Sequence, residues 1–320
     1  MAKPRVLVTR RLPDAVHERL SRDYDPVFNM EDRVYSRAEL IEKCQDVDAA
    51  MPCHSERFDA EVIEALPERL RVIANFSVGV DHVDLEAAAA KGVIVTNTPE
   101  VLSDATAEIA ILCMLGAARR GSEGDRMVRT GAWDFWSPAF MVGQQVTGKR
   151  LGLAGMGRVG QAVARAARGF DMEVHYWGRR RLDPETEQGA IYHESFDELL
   201  GVSDVLSLHC PATPETKGMM DAAAFAKLPE GAILVNTARG ALVDEDALVE
   251  ALSSGRLFAA GLDVFRDEPG GNPEIAKLEN VFLMPHVGSA TFDTRDAMGF
   301  RALDNLDAVF AGAEPRDRVA

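Results

Sequence analysis

The sequence predicts an α/β fold with two doubly wound, Rossmann-like domains, each built on a parallel sheet. Short apolar runs alternate with helical patterns along the chain, as expected when helices cover both faces of a parallel sheet. This alternation occurs in two separate series. The length of 320 residues is sufficient for two domains, and the 47% content of apolar residues is sufficient for a sizeable core.

Each series has its own set of apolar, strand-like runs. The first series has predicted strands at 5–9, 49–51, 71–76 and 93–97, with helical spacing at 36–43 and 57–65. The second series has predicted strands at 150–155, 173–177, 205–210, 232–238, 259–265 and 281–285. No internal repeat links the two series, so we interpret them as two different doubly wound units.

The segments outside the two series have their own patterns. Residues 101–120 are apolar on nearly every side, which predicts a buried helix between the domains or in a subunit interface. Residues 121–148 are polar and Gly-rich, and we expect them to be irregular. Their aromatic residues suggest a protein–protein contact or a lid, although packing on the chain's own surface is equally expected. The tail after residue 290 predicts a helix that packs back on the N-terminal unit.

Composition excludes several classes of partner. The net charge of −16 and the pI of about 4.9 argue against nucleic acid and anionic membranes as partners. An anionic substrate would therefore need local positive charge. The four cysteines lack close spacing, the N-terminus lacks a signal-peptide pattern, and the apolar stretch 109–118 is too short to span a bilayer. We expect a cytoplasmic protein with reduced thiols and no metal site.

A glycine-rich loop predicts dinucleotide binding. The G-x-G-x-x-G pattern consists of Gly155, Met156, Gly157, Arg158, Val159 and Gly160. It follows a predicted strand and opens a predicted helix, which is the context that gives the pattern meaning. Gly155 permits a tight turn, Gly157 lets the backbone approach a pyrophosphate, and Gly160 lets helix and strand pack closely. A purely structural turn is the alternative.

The residues after the next predicted strand, 173–177, bear on the choice between NAD and NADP. Folds that bind NAD carry an acid near this point for the ribose 2′-hydroxyl. This chain has Gly178 followed by Arg179, Arg180 and Arg181. No carboxylate repels a 2′-phosphate here, and guanidinium groups are present to hold one. We predict a preference for NADP(H), with NAD as the weaker alternative. A solvated basic turn is the other interpretation, and at least one of the three arginines is expected to be only that.

Three polar residues each follow a strand-like run in the last third of the chain: Arg239, Glu268 and His286. A guanidinium holds a planar anion by two hydrogen bonds, and an imidazole transfers protons near neutral pH. A carboxylate orients an imidazole and stabilises its charged form. Beside a dinucleotide loop, this set predicts hydride transfer to the carbonyl of a small 2-oxo acid. Taken singly, Arg239 could pair with a structural acid and His286 could be a core histidine.

Six segments together resemble the D-isomer-specific 2-hydroxyacid dehydrogenase family, and within it the glyoxylate/hydroxypyruvate reductases. These segments are 75–84, 155–164, 208–216, 235–248, 261–269 and 284–291. The resemblance implies a discontinuous substrate (catalytic) domain of residues 1–100 and 290–320. It also implies an inserted dinucleotide-binding domain at 101–289, with the active site in a cleft between the two domains.

The resemblance also implies roles for individual residues. Arg239 binds the substrate carboxylate and polarises the carbonyl, His286 donates the proton, and Glu268 pairs with His286. The backbone N–H groups of Val78 and Gly79 bind the carboxylate from the other domain. Four further residues correspond to positions that contact the cofactor: Thr106, Cys210, Ala238 and Asp263.

The resemblance finally implies an assembly and a reaction. An aromatic residue, Trp136 or Phe140, is expected to reach the substrate cleft of the neighbouring subunit in a homodimer. The expected reaction is the NAD(P)H-dependent reduction of glyoxylate or hydroxypyruvate. A reductase of a bulkier 2-oxo acid is one alternative, and a nucleotide-sensing binding protein on the same fold is another.

Overall fold

The computed structural model describes residues 3–320, which form two parallel sheets flanked by helices. The strands are β1 (Arg5–Val8), β2 (Asp25–Phe28), β3 (Ala49–Met51), β4 (Val72–Ala74), β5 (Ile94–Thr96), β6 (Arg150–Ala154), β7 (Glu173–Trp177), β8 (Ile191–Tyr192), β9 (Val205–Leu208), β10 (Ala232–Asn236), β11 (Leu257–Leu262) and β12 (Val281–Leu283). The helices are α1 (Asp14–Asp23), α2 (Arg37–Cys44), α3 (Ala60–Glu64), α4 (Leu85–Lys91), α5 (Ser103–Ala118), α6 (Gly121–Thr130), α7 (Arg158–Arg168), α8 (Pro184–Glu187), α9 (Phe196–Val202), α10 (Ala222–Lys227), α11 (Glu245–Ser253), α12 (Pro273–Ala276) and α13 (Phe292–Phe310). A 3₁₀ turn lies at Gly240–Leu242.

The chain divides into two compact units. The first unit consists of Met1–Leu102 and Ala290–Ala320, and the second unit consists of Ser103–Ser289. The first unit has a five-stranded sheet in the order β2-β1-β3-β4-β5, and the second has a seven-stranded sheet in the order β12-β11-β10-β9-β6-β7-β8. Every pair of neighbouring strands is parallel. The predicted α/β class with two doubly wound sheets is therefore confirmed.

The sheet of the first unit is buried on both faces. Successive side chains of a strand point to opposite faces, so Val6 and Val8 join the core under α1 and α13, whereas Leu7 joins the core under α2, α3 and α4. Helix α13 comes very close to α1, because a Cβ added at Gly299 would lie 2.3 Å from a Val16 methyl carbon. A glycine at this point lets the last helix cover one face of the sheet.

The C-terminal segment extends the edge of the same sheet. The backbone N–H of Val319 donates to the Val95 carbonyl at 2.8 Å, and the N–H of Val95 donates to the Ala320 carbonyl at 3.0 Å. The Arg301 guanidinium bonds Asp317 at 2.5 Å, which ties this segment to α13. Edge strand β5 is thereby covered by the chain itself.

The second unit also has a core on each face of its sheet. Helices α5 and α7 cover one face, and α9, α10 and α11 cover the other. Helix α5 approaches β11 closely, since a Cβ at Gly261 would lie 2.4 Å from the Cys113 carbonyl oxygen. One side of α5 nevertheless remains open within the chain, where Leu112 is 42% exposed.

Some elements differ from the sequence prediction. The strands β2 and β8 were not predicted, because both are short, incompletely buried strands at sheet edges. The prediction that 121–148 is irregular is wrong for α6, Gly121–Thr130. No residue of α6 is buried, so its sequence has no core-facing stripe. Residues 131–149 contain no helix or strand. Among residues 3–320, no helix combines the length and apolar character needed to cross a membrane.

Candidate active site

The glycine-rich loop lies where the connections of the second sheet diverge. The loop follows β6, and its neighbour in the sheet, β9, is followed by His209 and Cys210. Gly155 has a φ of +105°, and a Cβ there would lie 2.8 Å from the Cys210 backbone nitrogen. A Cβ at Gly160 would lie 2.2 Å from the Gly155 carbonyl oxygen. Side chains are therefore excluded at both positions, and this divergence point is where such folds bind ligands.

The same loop leaves room for a dinucleotide. A Cβ at Gly157 would meet nothing within 4 Å, and Gly157 precedes α7 without a side-chain cap. The N-terminus of α7, which begins with Arg158 and Val159, therefore has no side-chain cap. The Met156 carbonyl accepts a hydrogen bond from Gln161 Nε2 at 3.1 Å, which fixes the loop. These residues fit a pyrophosphate, which binds to backbone N–H groups at helix N-termini.

The three arginines after β7 have different environments. Arg181 Nε bonds Glu187 Oε1 at 2.9 Å, and the Tyr176 hydroxyl donates to the same oxygen at 2.5 Å. The Arg181 guanidinium and the Tyr176 hydroxyl lower the pKa of Glu187. The Tyr176 hydroxyl also accepts the backbone N–H of Leu182 at 2.9 Å. Arg181 is therefore an anchor of the turn.

Arg179 and Arg180 differ from Arg181. Both are exposed, and neither forms an ion pair with any other residue of the described chain. A Cβ added at Gly178 would meet nothing within 4 Å, so the space before them is open. These two guanidinium groups remain available to an external anion.

Glu268 and His286 are in direct contact. His286 Nδ1 lies 2.5 Å from Glu268 Oε2, and the backbone N–H of Phe265 donates to Glu268 Oε1 at 2.7 Å. The carboxylate is therefore fixed on both oxygens, and it fixes the imidazole through one nitrogen. Nε2 is the nitrogen on the other side of the ring, and an imidazole held in this way is suited to proton transfer.

Asp263 holds the backbone that carries His286. Its carbonyl accepts the N–H of His286 at 2.8 Å, and its two carboxylate oxygens accept the N–H groups of Val287 and Gly288, each at 2.8 Å. His286 has a φ of +55°, which is unusual for a residue other than glycine. Burial raises the pKa of Asp263, although these backbone hydrogen bonds oppose the rise.

Arg239 follows β10, the strand beside β11. Asn236 closes the turn: its Nδ2 donates to the Arg239 carbonyl at 2.9 Å, and its Oδ1 accepts the N–H of Ala238 at 3.0 Å. A Cβ at Gly240 would lie 1.8 Å from the Phe265 carbonyl carbon. Only glycine permits this contact, which brings the Arg239 turn against the segment leading to Glu268.

The other predicted cofactor positions lie in the same unit. A Cβ at Gly288 would lie 3.4 Å from Thr106 Oγ1, so Thr106 adjoins the segment after His286. Cys210 is buried, and burial raises the pKa of its thiol to about 11. It remains neutral at pH 7 and contributes as a small apolar group.

Val78 and Gly79 follow β4 in the first unit. Asn97 Nδ2 donates to the Val78 carbonyl at 2.8 Å, and Ser77 Oγ donates to the Gly79 carbonyl at 2.7 Å. The backbone N–H groups of Val78 and Gly79 have no acceptor within residues 3–320. Two adjacent unpaired N–H groups on a fixed turn suit a carboxylate.

Sequence reasoning missed two residues that support the predicted site residues. Asn236 and Glu187 support Arg239 and Arg181, and both are buried. Asn236 has a signal in the sequence, because it is a polar residue at the end of the apolar run 232–235. Glu187 has no such signal, because its partners become neighbours only when the turn has folded.

Comparisons with known proteins cover the whole chain. Residues 111–288 match the family model described as D-isomer specific 2-hydroxyacid dehydrogenase, NAD binding domain. A glycerate dehydrogenase from Hyphomicrobium methylovorum is 43% identical over 316 residues, which span 98% of each chain. A solved structure from Polaromonas sp. JS6 66, described as a D-isomer specific 2-hydroxyacid dehydrogenase, NAD-binding, has a TM-score of 0.95 and 45% identity, and the match covers 99% of this chain and 100% of that one. The solved structure of an NADPH-dependent glyoxylate/hydroxypyruvate reductase from Sinorhizobium meliloti has a TM-score of 0.88 and 33% identity. The match covers 100% of this chain and 97% of that one.

Proposed function

Because the chain belongs to the D-isomer-specific 2-hydroxyacid dehydrogenase family, we propose that it reduces glyoxylate or hydroxypyruvate to the 2-hydroxy acid, with NADPH as the preferred cofactor. The observation that carries the proposal is the 2.5 Å hydrogen bond between His286 and Glu268, in the same unit as the open glycine loop. The Sinorhizobium relative is described as an NADPH-dependent reductase of these two acids, and the Hyphomicrobium relative as a glycerate dehydrogenase.

The proton in this reaction comes from His286. Reduction forms a C–H bond at the carbonyl carbon and an O–H bond at its oxygen. NADPH supplies the hydride when it is bound. Glu268 holds the imidazole through Nδ1, so Nε2 is the atom that gives its proton to the carbonyl oxygen. Asp263 fixes the backbone of His286 and thereby the direction of this transfer.

Positive charge and N–H donors bind the substrate carboxylate. The Arg239 guanidinium bonds the carboxylate and polarises the neighbouring carbonyl. The N–H groups of Val78 and Gly79 provide two further donors. With a net charge of −16, the protein repels a small anion at long range, and these local groups reverse that effect.

Cofactor preference depends on the turn after β7. Arg179 and Arg180 are the guanidinium groups without ion pairs, and they hold the 2′-phosphate of NADPH. Arg181 keeps the turn in place through Glu187. NAD is the weaker cofactor, because Gly178 provides no carboxylate for its ribose.

We assign the roles of the two units accordingly. The second unit is the dinucleotide-binding domain, predicted at 101–289, and Thr106, Cys210, Ala238 and Asp263 lie on its cofactor side. The family model of an NAD binding domain over 111–288 supports this assignment. The first unit, predicted at 1–100 and 290–320, is the substrate domain.

The enzyme is a homodimer in this proposal. Leu112 on α5 and Trp133, Phe135 and Trp136 after α6 are exposed within one chain. Trp136 is 73% exposed, whereas Phe140 makes an edge contact with Phe135, with 4.8 Å between the two ring centres. We therefore favour Trp136 as the residue that reaches a partner subunit. Free cysteines agree with a cytoplasmic enzyme, and the charge agrees with small molecules as its ligands, without nucleic acid or membrane partners.

The test is NADPH oxidation with glyoxylate, hydroxypyruvate, pyruvate and phenylpyruvate. We expect the highest kcat/KM for one of the first two acids, and a lower kcat/KM when NADH replaces NADPH. A clear preference for phenylpyruvate would support the alternative of a bulkier substrate. Tight NADPH binding without turnover of any acid would support a nucleotide-sensing protein.

A further inference from the structure

The first unit contains a cavity of about 360 Å³ at the carboxyl ends of its strands. The residues that matter for its chemistry are Arg11, Leu12, Asp32, Cys53, Phe76 and Arg295. They come from the segments after β1, β2, β3 and β4 and from the beginning of α13. The volume is within the range of small-molecule pockets, roughly 300–1,000 Å³.

The cavity lies at the point of the first sheet where ligands are expected. In the order β2-β1-β3-β4-β5, the connections run in opposite directions on the two sides of the β1–β3 pair. Arg11 follows β1 and Cys53 follows β3, so the cavity lies outside the carboxyl ends of these two strands. Open α/β sheets bind their ligands at this position.

The most unusual wall residue is Arg295. Its guanidinium is partly buried, and its central carbon lies 5.9 Å from the centre of the Phe76 ring. No carboxylate or carbonyl anywhere in residues 3–320 pairs with this guanidinium. Arg301 on the same helix bonds Asp317 at 2.5 Å. A partly buried guanidinium without a protein acceptor is suited to an anion or hydroxyl supplied by a ligand.

The other polar groups of the cavity do not cancel this charge. The Asp32 carboxylate accepts Arg10 Nε and the backbone N–H of Arg11, each at 2.9 Å, so it is already compensated. Burial raises the pKa of the Cys53 thiol to about 12, which keeps the thiol neutral. The cavity therefore has a positive wall beside the apolar surface of Phe76.

The cavity adjoins the proposed carboxylate site within the same unit. Phe76 precedes Val78 by two positions, and Cα atoms two positions apart are separated by at most about 7 Å. A 2-oxo acid held by the N–H groups of Val78 and Gly79 would therefore have its remaining carbon atoms within reach of the Phe76 wall.

We propose that this cavity receives the end of the 2-oxo acid remote from the carboxylate, and that Arg295 selects substrates with a hydroxyl or a second carboxylate there. The inference rests on the proposed function and names its substrate class. Glyoxylate has no group at this end. Hydroxypyruvate places a hydroxyl near Arg295, and oxaloacetate places a carboxylate there, for which two parallel hydrogen bonds are available.

The first experiment compares substrates in Arg295→Met. We expect kcat/KM to fall about tenfold or more for hydroxypyruvate and further for oxaloacetate, since a hydrogen bond to a charged group is lost. Values for glyoxylate and for 2-oxobutyrate, the apolar counterpart of hydroxypyruvate, should stay within about twofold. Arg71→Met is the matched control, because the Arg71 guanidinium also lies over a phenylalanine, at 4.7 Å from the Phe310 ring centre, outside the cavity. Equal losses for all four acids in Arg295→Met would overturn the proposal and leave Arg295 as a support for Phe76.

The second experiment separates this inference from the proposed function. D-malate and NADPH are both reduced, so their complex with the enzyme cannot react, and calorimetry measures binding of the acid directly. We expect the Kd of D-malate to rise about tenfold or more in Arg295→Met and Arg295→Gln, and to stay unchanged in Arg71→Met. A wild type that reduces no 2-oxo acid but shows this pattern refutes the proposed function and supports the cavity assignment. Unchanged D-malate affinity in a folded Arg295 variant overturns the assignment.

Discussion

His286 has a left-handed backbone conformation, which costs on the order of 1–3 kcal/mol for a residue other than glycine. The conformation persists because Asp263 accepts the N–H groups of His286, Val287 and Gly288. At the scale of residues, the candidate site thus consists of an imidazole, the proposed proton donor, on a constrained turn and two carboxylates with different contacts. Glu268 orients the ring, and Asp263 orients the backbone.

The first prediction concerns the imidazole. His286→Asn removes the transferable proton but retains a residue type that tolerates positive φ. We expect reductive kcat to fall by a factor on the order of 10²–10⁴, while the Kd for NADPH stays close to that of the wild type. Steady-state kinetics and fluorescence titration with NADPH measure the two quantities. Retained kcat would show that another group donates the proton.

The second prediction concerns Arg239. A lysine keeps the positive charge but loses the planar pair of donors. Arg239→Lys should raise KM for the 2-oxo acid and lower kcat, because in the proposed mechanism the guanidinium acts on both the carboxylate and the developing charge on the carbonyl oxygen. The measurement is a substrate titration at saturating NADPH, with circular dichroism as the control for folding. Kinetic constants equal to those of the wild type would place the substrate elsewhere.

At the scale of elements, the turn after β7 combines an anchoring arginine with two exposed arginines that we propose bind the cofactor. Arg181 is bonded to Glu187, and Arg179 and Arg180 face solvent. Sequence alone shows three equivalent arginines, whereas the folded turn makes one of them structural. The three like charges at this strand end therefore have different surroundings, one paired within the turn and two facing solvent.

The third prediction uses this division. Arg179→Ala or Arg180→Ala should lower kcat/KM for NADPH about tenfold or more and leave NADH nearly unaffected, because only NADPH carries the 2′-phosphate. Arg181→Ala should instead impair both cofactors, since the turn loses its anchor. Initial rates at varied cofactor concentration decide this. Equal effects of Arg179→Ala on NADPH and NADH would contradict the assignment.

A buried carboxyl group connects the ends of β1 and β3. Glu56 Oε2 accepts hydrogen bonds from Thr9 Oγ1 at 2.8 Å and Ser55 Oγ at 3.0 Å, and Oε1 has no partner in the described chain. Burial raises the pKa of Glu56. The carboxyl group of Glu56 therefore holds its proton more tightly in the native state than in the unfolded chain, where the pKa of a glutamate is about 4.3.

The fourth prediction follows from the sign of this shift. The stabilisation from protonated Glu56 is complete below the unfolded pKa and is lost as pH rises through the higher native value. Glu56→Gln has no such titration. We expect the free energy of unfolding of the wild type, relative to Glu56→Gln, to decrease from about pH 4 to pH 7. Denaturant titrations at several pH values test this, and a difference independent of pH would contradict it.

At the scale of the whole molecule, the sequence predicts the α/β class because buried parallel strands are continuous apolar runs. It does not predict β2 and β8, because edge strands lack that signal. Arg239, Glu268 and His286 stand out in the sequence as polar residues after apolar strands. The hydrogen bonds that Asp263 accepts from His286, Val287 and Gly288 cannot be predicted in this way. They depend on a contact between two chain segments that only the folded sheet brings together.

The fifth prediction concerns assembly. Light scattering should give twice the chain mass of 34.8 kDa. Leu112→Glu should shift the protein towards the single-chain mass, because it places a charge in the proposed interface. Ile191→Glu is the matched control, since Ile191 is 43% exposed and Leu112 is 42% exposed, but Ile191 lies on the edge strand β8. A single-chain mass for the wild type would refute the dimer.

The position of α13 in the chain has a consequence for biosynthesis. This helix covers one face of the first unit, yet the ribosome makes it only after all of Ser103–Ser289. At roughly 5–20 residues per second, the apolar face formed by Val6, Val8 and Met51 lacks the part of its cover that α13 provides for roughly ten seconds or more. During that interval the nascent chain presents a binding site for chaperones. Translation that stops before α13 leaves a first unit with an exposed core face, which favours aggregation and degradation.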